Sequence, residues 1–523
     1  MKSISEINTV WLVTREYAEI AEAGGVKNVA CSLSEGLLQL GKSVTVFIPR
    51  YGCVSTPYSS LFSSSINVAG MNHTVDFSFC YFHGVKIVFI DSSIFREKHA
   101  VYTYTEAEAR VIPGIVRGKG HLDVDVMNMI FQKAVLFYAV ERDTVPDVLH
   151  CQDAHTALIP ALIRNDPAIS DRFSDTRMIV TIHNAGPGYR QTIPGITRGV
   201  YLTGLDEPVL LKGLFNDAIE PFLLAAEYGS LSTVSPWYAD ELTSHVYNQF
   251  TEGLSGEFER RQVKITGITN GIDFHRYNPE DISVSLLPYA FCPRNGNLQG
   301  KYDSREYFLH LIQHFSDVPG ITCSGTINPS DSAVYFSYHG RIAWQKGLDI
   351  LAESARMVLD RLPEARFIIL GQGDPVLESL FVEMSAIYSG RFVYIHGYER
   401  ALARLAVAVS DFLVLPSLFE PCGLEDYIGQ IFGTIPVAHA VGGLQKIQNG
   451  KNGYLYSSVS GNDAQVLASL LVKLAEPIVL SCGTGCASVP EYLEMIQYAA
   501  ENVLNACNWD SIIQKYYLPL YTE

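Results

Sequence analysis

The stretch that decides the fold is Tyr335-Phe336-Ser337-Tyr338-His339, then Gly340-Arg341-Ile342-Ala343-Trp344-Gln345-Lys346-Gly347, then Leu351, Ala355, Val358 and Leu362. Aromatic residues suit a pleated strand, and glycines bracket the loop that follows. The three- and four-residue spacing of the later apolar side chains predicts a helix, which Pro363 ends. Strand, loop and helix in that order form half of a parallel crossover. Working outward, the same alternation recurs in candidate strands Phe367–Leu370, Phe392–Ile395, Phe412–Leu415 and Ile435–Val437. The first half repeats it with Val10–Thr14, Val44–Ile48, Lys86–Ile90, Asp147–His150 and Met178–Ile182. Between the first two of these, Val29, Leu33, Leu37 and Leu40 form a helical stripe with Gly41 as its stop. The reading is α/β, two doubly wound parallel sheets in series. Such sheets bind ligands at strand carboxyl ends, and two facing sheets would put the site in the groove between them.

The segment 281–330 is weakly periodic and reads as loops around one helix, Tyr302–Phe315, and the end of the chain, Ser488–Tyr521, reads mostly as helix. At 523 residues the chain is too long for one core, which fits two domains. Its 55 acidic against 38 basic residues give a net charge of −17. That balance argues against nucleic acid or an anionic membrane as partner and suits a neutral substrate such as a carbohydrate. No stretch approaches the roughly 18 unbroken apolar residues of a bilayer span, and Met1–Asn8 lacks the pattern of a signal peptide. The ten cysteines are scattered without a CxxC, and Cys482 with Cys486 is the one close pair. Buried thiols in a reducing cytoplasm explain them better than a metal site, so neither a metal nor a cofactor is expected.

Five motifs stand at strand ends. Ala23-Gly24-Gly25-Val26 is either a structural turn or a place where backbone approaches an anion at a helix start. His150-Cys151-Gln152-Asp153-Ala154-His155 offers polar groups to a cleft, conceivably to a metal, or simply a helix cap at Asp153. Thr181-Ile182-His183-Asn184 precedes Ala-Gly-Pro-Gly, a tight exposed loop in which a histidine has work to do. Arg341 and Lys346 could both reach a diphosphate leaving group, or be a solvated surface pair. Phe419-Glu420-Pro421-Cys422-Gly423-Leu424 sets a carboxylate beside a helix start, suited to sugar hydroxyls, and Gly442-Gly443 follows the next strand. Gly371-Gln372-Gly373-Asp374-Pro375 is too short for a dinucleotide fingerprint and reads as a plain turn.

In order and spacing these motifs resemble the bacterial glycogen synthases and plant starch synthases. Thr233-Val-Ser-Pro236, Thr269-Asn270-Gly-Ile-Asp273, Trp344–Asp349, Phe432–Pro436 and Val441–Leu444 extend the match across nearly the whole chain. The resemblance implies a GT-B fold, two Rossmann-like domains facing each other across a cleft. Residues 1–264 would form the acceptor-side domain, 265–500 the nucleotide-sugar side, and 501–523 a helix returning to the first domain. It implies a retaining transfer of glucose from ADP-glucose to the non-reducing end of an α-1,4-glucan, in the cytoplasm and without metal. Arg341 and Lys346 would stabilise the departing diphosphate, His183 would sit against the transferred sugar, Glu420 would bind its hydroxyls, and Asp153 would lie near the reacting centre. Gly24, Gly25, Asn184 and Asn270 would line the cleft, and backbone N–H groups of Cys422, Gly423, Leu424, Gly442 and Gly443 would hold sugar and phosphate.

The departures from the family pattern cluster in the donor site. Glu22 stands where the family has the lysine of Lys-x-Gly-Gly-Leu, and Asn28 where it has an aspartate. Leu418 replaces an arginine, Glu425-Asp426 replace Thr-Gln, and His439-Ala440-Val441 replace Arg-Arg-Thr. Leu224 replaces a lysine and Ala154 a tryptophan. Glu22 near a diphosphate would cost roughly 1 kcal/mol or more of repulsion. An active synthase, a degenerate glucan- or nucleotide-binding regulatory homologue, and a GT-B transferase with another donor or acceptor are the alternatives that follow.

Overall fold

The apolar runs identified above become the centres of two sheets in a computed structural model that describes residues 3–316, 320–330, 332–458, 461–481 and 483–522. The chain divides into two units, 1–270 with 509–523, and 271–508. The expected boundaries were 264 and 500. The helical return to the first unit therefore starts at Trp509, where Asn508 still pairs with Ile272 of the second unit.

The first unit carries a nine-stranded sheet. Its order is Ile265–Gly267, Ser230–Thr233, Arg177–Ile182, Val148–Gln152, Thr9–Val13, Ser43–Pro49, Val85–Asp91, Met71–Phe82 and Ser59–Val68. The five strands foreseen from sequence are all parallel and all central, buried on both faces, which is why they read as continuous apolar runs. The antiparallel hairpin at the edge was not foreseen. Its outer strand, Ser59–Val68, is half exposed and rich in serine, so it carries little hydrophobic signal. The chain leaves Thr9–Val13 to one side for Ser43–Pro49 and returns on the other side with Val148–Gln152, so the switch point lies between Thr9–Val13 and Val148–Gln152. Glu16, the Gly24-Gly25 loop and Asp153 follow these two strands.

The second unit has a seven-stranded sheet in the order Thr322–Ile327, Arg391–His396, Ala365–Gly371, Val334–His339, Phe412–Leu415, Ile435–His439 and Tyr454–Tyr456. All pairs are parallel except the first. Thr322–Ile327 lies in the segment expected to be loops; half-buried and antiparallel at the sheet edge, it alternates too weakly to be seen. The helix expected at Tyr302–Phe315 spans Gln299–Gln313. Here the switch point lies between Val334–His339 and Phe412–Leu415, and the loops after them carry Arg341, Lys346 and Glu420.

Among the described residues one helix, Asp463–Ser481, is long and apolar enough by length and composition to cross a membrane. Its apolar side, from Ala464 and Leu467 to Ile478, is buried in the core of the second unit, and Ser354 of the neighbouring helix Leu348–Arg361 bonds the Ala464 carbonyl. Cys486 is buried beside Asp411, and Cys482 lies outside the described residues.

Candidate active site

In the first unit, Gln152 and Asp153 end a fully buried strand and His183 ends its neighbour. Asp153 takes a positive φ of 60°. No side-chain cap bond forms to the following turn, so the capping role considered for Asp153 does not hold. Its Oδ1 instead accepts the backbone N–H of His183 at 2.8 Å and that of Asn184 at 3.4 Å. Burial pushes Asp153 up to about 7, against the pull of those two N–H groups. His183 Nε2 lies 2.7 Å from Gln152 Oε1, and burial takes the imidazole down to about 3, so it works neutral at physiological pH. Asn184 turns its Oδ1 onto the Gly186 N–H at 2.7 Å, and Asn270 is buried with its Oδ1 unpaired among the described residues.

The two histidines of the 150–155 motif part company. His150 lies between Thr181 Oγ1 at 2.6 Å and the Tyr521 hydroxyl at 3.0 Å, and His155 stacks on Tyr102. With different partners they cannot share an ion, which removes the metal reading of this motif. Among the described residues no group of three or more potential ligands could hold a metal.

Sequence reasoning passed over Glu16. Its carboxylate accepts the N–H of Gly24 at 2.5 Å and that of Ala23 at 3.2 Å, so the backbone donors of the Gly-Gly loop already hold an anion from the chain itself. Burial raises the Glu16 carboxyl, opposed by a hydrogen bond from Tyr102 and by the two loop N–H groups. An acid three residues past the end of the strand Thr9–Val13 was the available signal. Beyond Gly25, a side chain would meet nothing within 4 Å, so the loop is open on that side. Glu22 turns back on its own loop: Oε1 accepts the Glu19 N–H at 2.9 Å and Oε2 pairs with Lys27 Nζ at 3.1 Å.

In the second unit, Lys346 Nζ lies 2.5 Å from Glu420 Oε2, and Ser417 Oγ donates to the same oxygen at 3.0 Å. Burial pushes the Glu420 carboxyl up, but Lys346 and then Ser417 outweigh it, leaving Glu420 below its ordinary value and ionised. Arg341 is exposed in the same loop and forms no ion pair among the described residues. That loop is braced from below: Ile342 pairs with Gly373 across backbone, and Trp344 Nε1 donates to Asp374 Oδ2 at 3.0 Å. The 371–375 segment is thus more than a plain turn. The sugar-side loop is tied in turn, with Leu418 N donating to the Gln345 carbonyl at 2.9 Å and Gly443 N to the Glu420 carbonyl at 2.8 Å. Gly443 admits no side chain, because its Cβ would fall 2.0 Å from the Cys422 carbonyl oxygen. Gly423 is left-handed at φ 72°, and a Cβ there would press on Leu444 at 2.9 Å.

The acidic replacements in this unit also have partners. Glu425 Oε2 lies 3.1 Å from His339 Nδ1, and its charge raises the histidine in spite of burial. Asp426 is fully buried with Oδ1 2.9 Å from Lys446 Nζ. Tyr398, just past the strand Arg391–His396, is 62% exposed with its ring stacked 6.3 Å from His339. Neither Lys446 nor Tyr398 belongs to a motif picked out from the sequence. Leu224 and Ala154, at two other replaced positions, are buried apolar residues.

Comparison with known proteins agrees with this geometry. A model of the starch synthase catalytic domain matches residues 9–259, and one of glycosyl transferases group 1 matches 333–476. Glycogen synthase from Exiguobacterium sibiricum is 28% identical over 444 residues, 83% of this chain and 84% of that one. Glycogen synthase from Thermodesulfovibrio yellowstonii is 25% identical over 527 residues, 97% and 96% of the two chains. Among solved structures, the catalytic domain of starch synthase IV from Arabidopsis thaliana, bound to ADP and acarbose, superposes with a TM-score of 0.78 at 21% identity, over 99% of both chains. Sucrose-phosphate synthase from Thermosynechococcus elongatus gives 0.55 at 15% identity, over 98% of this chain and 99% of that one. Two doubly wound units with these motifs at their switch points, and these matches along both, make the chain a divergent member of the glycogen and starch synthase family of GT-B glycosyltransferases.

Proposed function

We propose that this chain is a glucan synthase that moves glucose from ADP-glucose to the non-reducing end of an α-1,4-glucan with retention at the anomeric carbon. The observation that carries the reading is the Lys346–Glu420–Ser417 cluster at the switch point of the second sheet, which keeps one cation and one carboxylate ionised side by side. In the transfer, the bond from the sugar C1 to the diphosphate oxygen breaks and its electron pair leaves with the diphosphate. The acceptor hydroxyl bonds to C1, and its proton passes to the diphosphate. Negative charge therefore builds on the leaving group, where Arg341 and Lys346 lower the barrier as preorganised cations. Glu420 binds sugar hydroxyls, neutral His183 packs against the sugar, and Asp153 fixes the His183 backbone. Nothing in the site calls for a cofactor beyond the nucleotide-sugar, and the expected compartment is the cytoplasm.

A second reading has one specific support. Glu16 accepts the N–H groups of Ala23 and Gly24 at the Gly-Gly loop, and Glu22 adds an anion where the family resemblance implies a lysine. These favour a member that binds glucan or nucleotide without turning over. The test is to incubate the purified protein with a maltooligosaccharide and either ADP-glucose or UDP-glucose, following chain length. Extension with ADP-glucose supports the synthase. Extension with UDP-glucose alone replaces the donor, and a folded protein inert with both leaves the binding role.

A further inference from the structure

The family resemblance expects uncharged Thr-Gln at 425–426, and the chain buries an aspartate there instead. Asp426 is 0% exposed, and neither carboxylate oxygen has a hydrogen bond of good geometry. Its counter-charge is Lys446, whose side chain is 7% exposed. The ammonium does more than neutralise Asp426. It donates to the carbonyl oxygens of Gly423 at 2.7 Å, Cys422 at 2.8 Å and Gly443 at 3.2 Å. A lysine has three N–H donors, so the carbonyls use all three and Asp426 is held by charge alone. The Tyr427 ring lies 4.6 Å away and closes the other side.

Two consequences follow from peptide geometry. A trans peptide points its C=O and N–H in opposite directions. With the carbonyls of Cys422 and Gly423 drawn onto Lys446, the N–H groups of Gly423 and Leu424 face away from it. Neither N–H has a backbone acceptor among the described residues. The same ammonium bonds both the 422–423 loop and Gly443, so it fixes the spacing of the two loops that the Gly443 N–H joins to Glu420 from the other side.

We propose that Lys446, held by Asp426, is a positioning residue of the donor site: it clamps the carbonyls of Cys422, Gly423 and Gly443 so that the N–H groups of Gly423 and Leu424 stand ready for the sugar and diphosphate of the bound nucleotide-sugar. The inference rests on the donor-site reading above. Lys446 touches no substrate and acts through the loop.

The test is ADP and UDP binding by calorimetry to the full-length protein, with thermal unfolding measured on each variant. Lys446→Met alone leaves Asp426 buried and unpaired, so the Asp426→Asn/Lys446→Met double variant, without either charge, is the main probe. It folds with a melting temperature near that of the wild type and binds the nucleoside diphosphate about tenfold or more weakly, since the clamp's charged hydrogen bonds are gone. Its affinity for a maltooligosaccharide stays unchanged, and in turnover KM for the donor rises more than kcat falls. Lys446→Arg, which keeps the charge, recovers part of the affinity. A folded double variant that binds the diphosphate as tightly as the wild type overturns the inference and leaves the donor-site reading intact. A wild type that binds neither ADP nor UDP overturns both.

Discussion

Glu22 Oε2 lies 3.1 Å from Lys27 Nζ, five residues on along the same loop and helix start. The position that resembles a family lysine thus carries an acid, but an acid with its own cation. The pattern recurs: Glu425 meets His339, and Asp426 meets Lys446. Each of the three acidic replacements lies beside a basic side chain.

Glu22 immediately precedes Ala23 and the Gly-Gly loop. Replacing it by lysine raises kcat/KM for ADP-glucose about threefold to tenfold, more at low salt than at high. Lys27→Met, which removes the cation beside Glu22, lowers the same parameter with the same salt dependence. Steady-state kinetics at two ionic strengths check both signs.

Lys346→Met removes a cation from the leaving group and strands Glu420 without its partner. The expected loss in kcat/KM is about a hundredfold or more, and the melting temperature falls as well, because the Glu420 carboxylate left behind is mostly buried. Glu420→Gln removes the charge but keeps the shape, and loses turnover while diphosphate binding survives. Nucleotide calorimetry beside the kinetics separates the two effects.

Asp153 makes the unfolding energy depend on pH in a defined direction. Its folded value of about 7 lies above the unfolded one, so the folded state holds the proton more tightly. The stability it contributes is full in acid and is lost as pH rises through 7. Asp153→Asn removes this dependence. Denaturant unfolding of variant and wild type at pH 5 and pH 8 should show the difference shifting by about 2 kcal/mol in the variant's favour at the higher pH.

Tyr521 anchors the end of the chain through its hydroxyl on His150, 3.0 Å away in the core of the first unit. Tyr521→Phe leaves a buried His150 nitrogen unpaired and costs about 1 to 2 kcal/mol, read as a lower denaturation midpoint. His150 is buried neutral at about 3, so the unfolded chain alone takes up its proton between about 6.5 and 3, and stability falls as pH drops through that window.

What could be read from the residues was decided by burial. Strands such as Phe367–Leu370 and Phe412–Leu415, covered on both faces, carry unbroken apolar runs and were placed within two residues of their observed ends. The serine-rich hairpin strand Ser59–Val68 and the edge strand Thr322–Ile327 carry too little apolar surface to be seen. The sites divide similarly. Arg341, Lys346 and Glu420 lie within short motifs at strand ends and were legible as candidates. Lys446 and His339 act on loops far from them in sequence, 23 residues from Gly423 and 86 from Glu425, and partners at that distance leave no local pattern. Glu22 read as a bare liability because the fold of its loop back onto Lys27 is a property of the backbone.

The central claim is that these acidic substitutions leave a working synthase. The direct measurement is the ratio of ADP released to glucosyl units added when the purified protein meets ADP-glucose and a maltooligosaccharide. A ratio of about one, with release abolished by Lys346→Met, is the predicted result. Release of no ADP and no extension, from a protein shown by its melting transition to be folded, would contradict it.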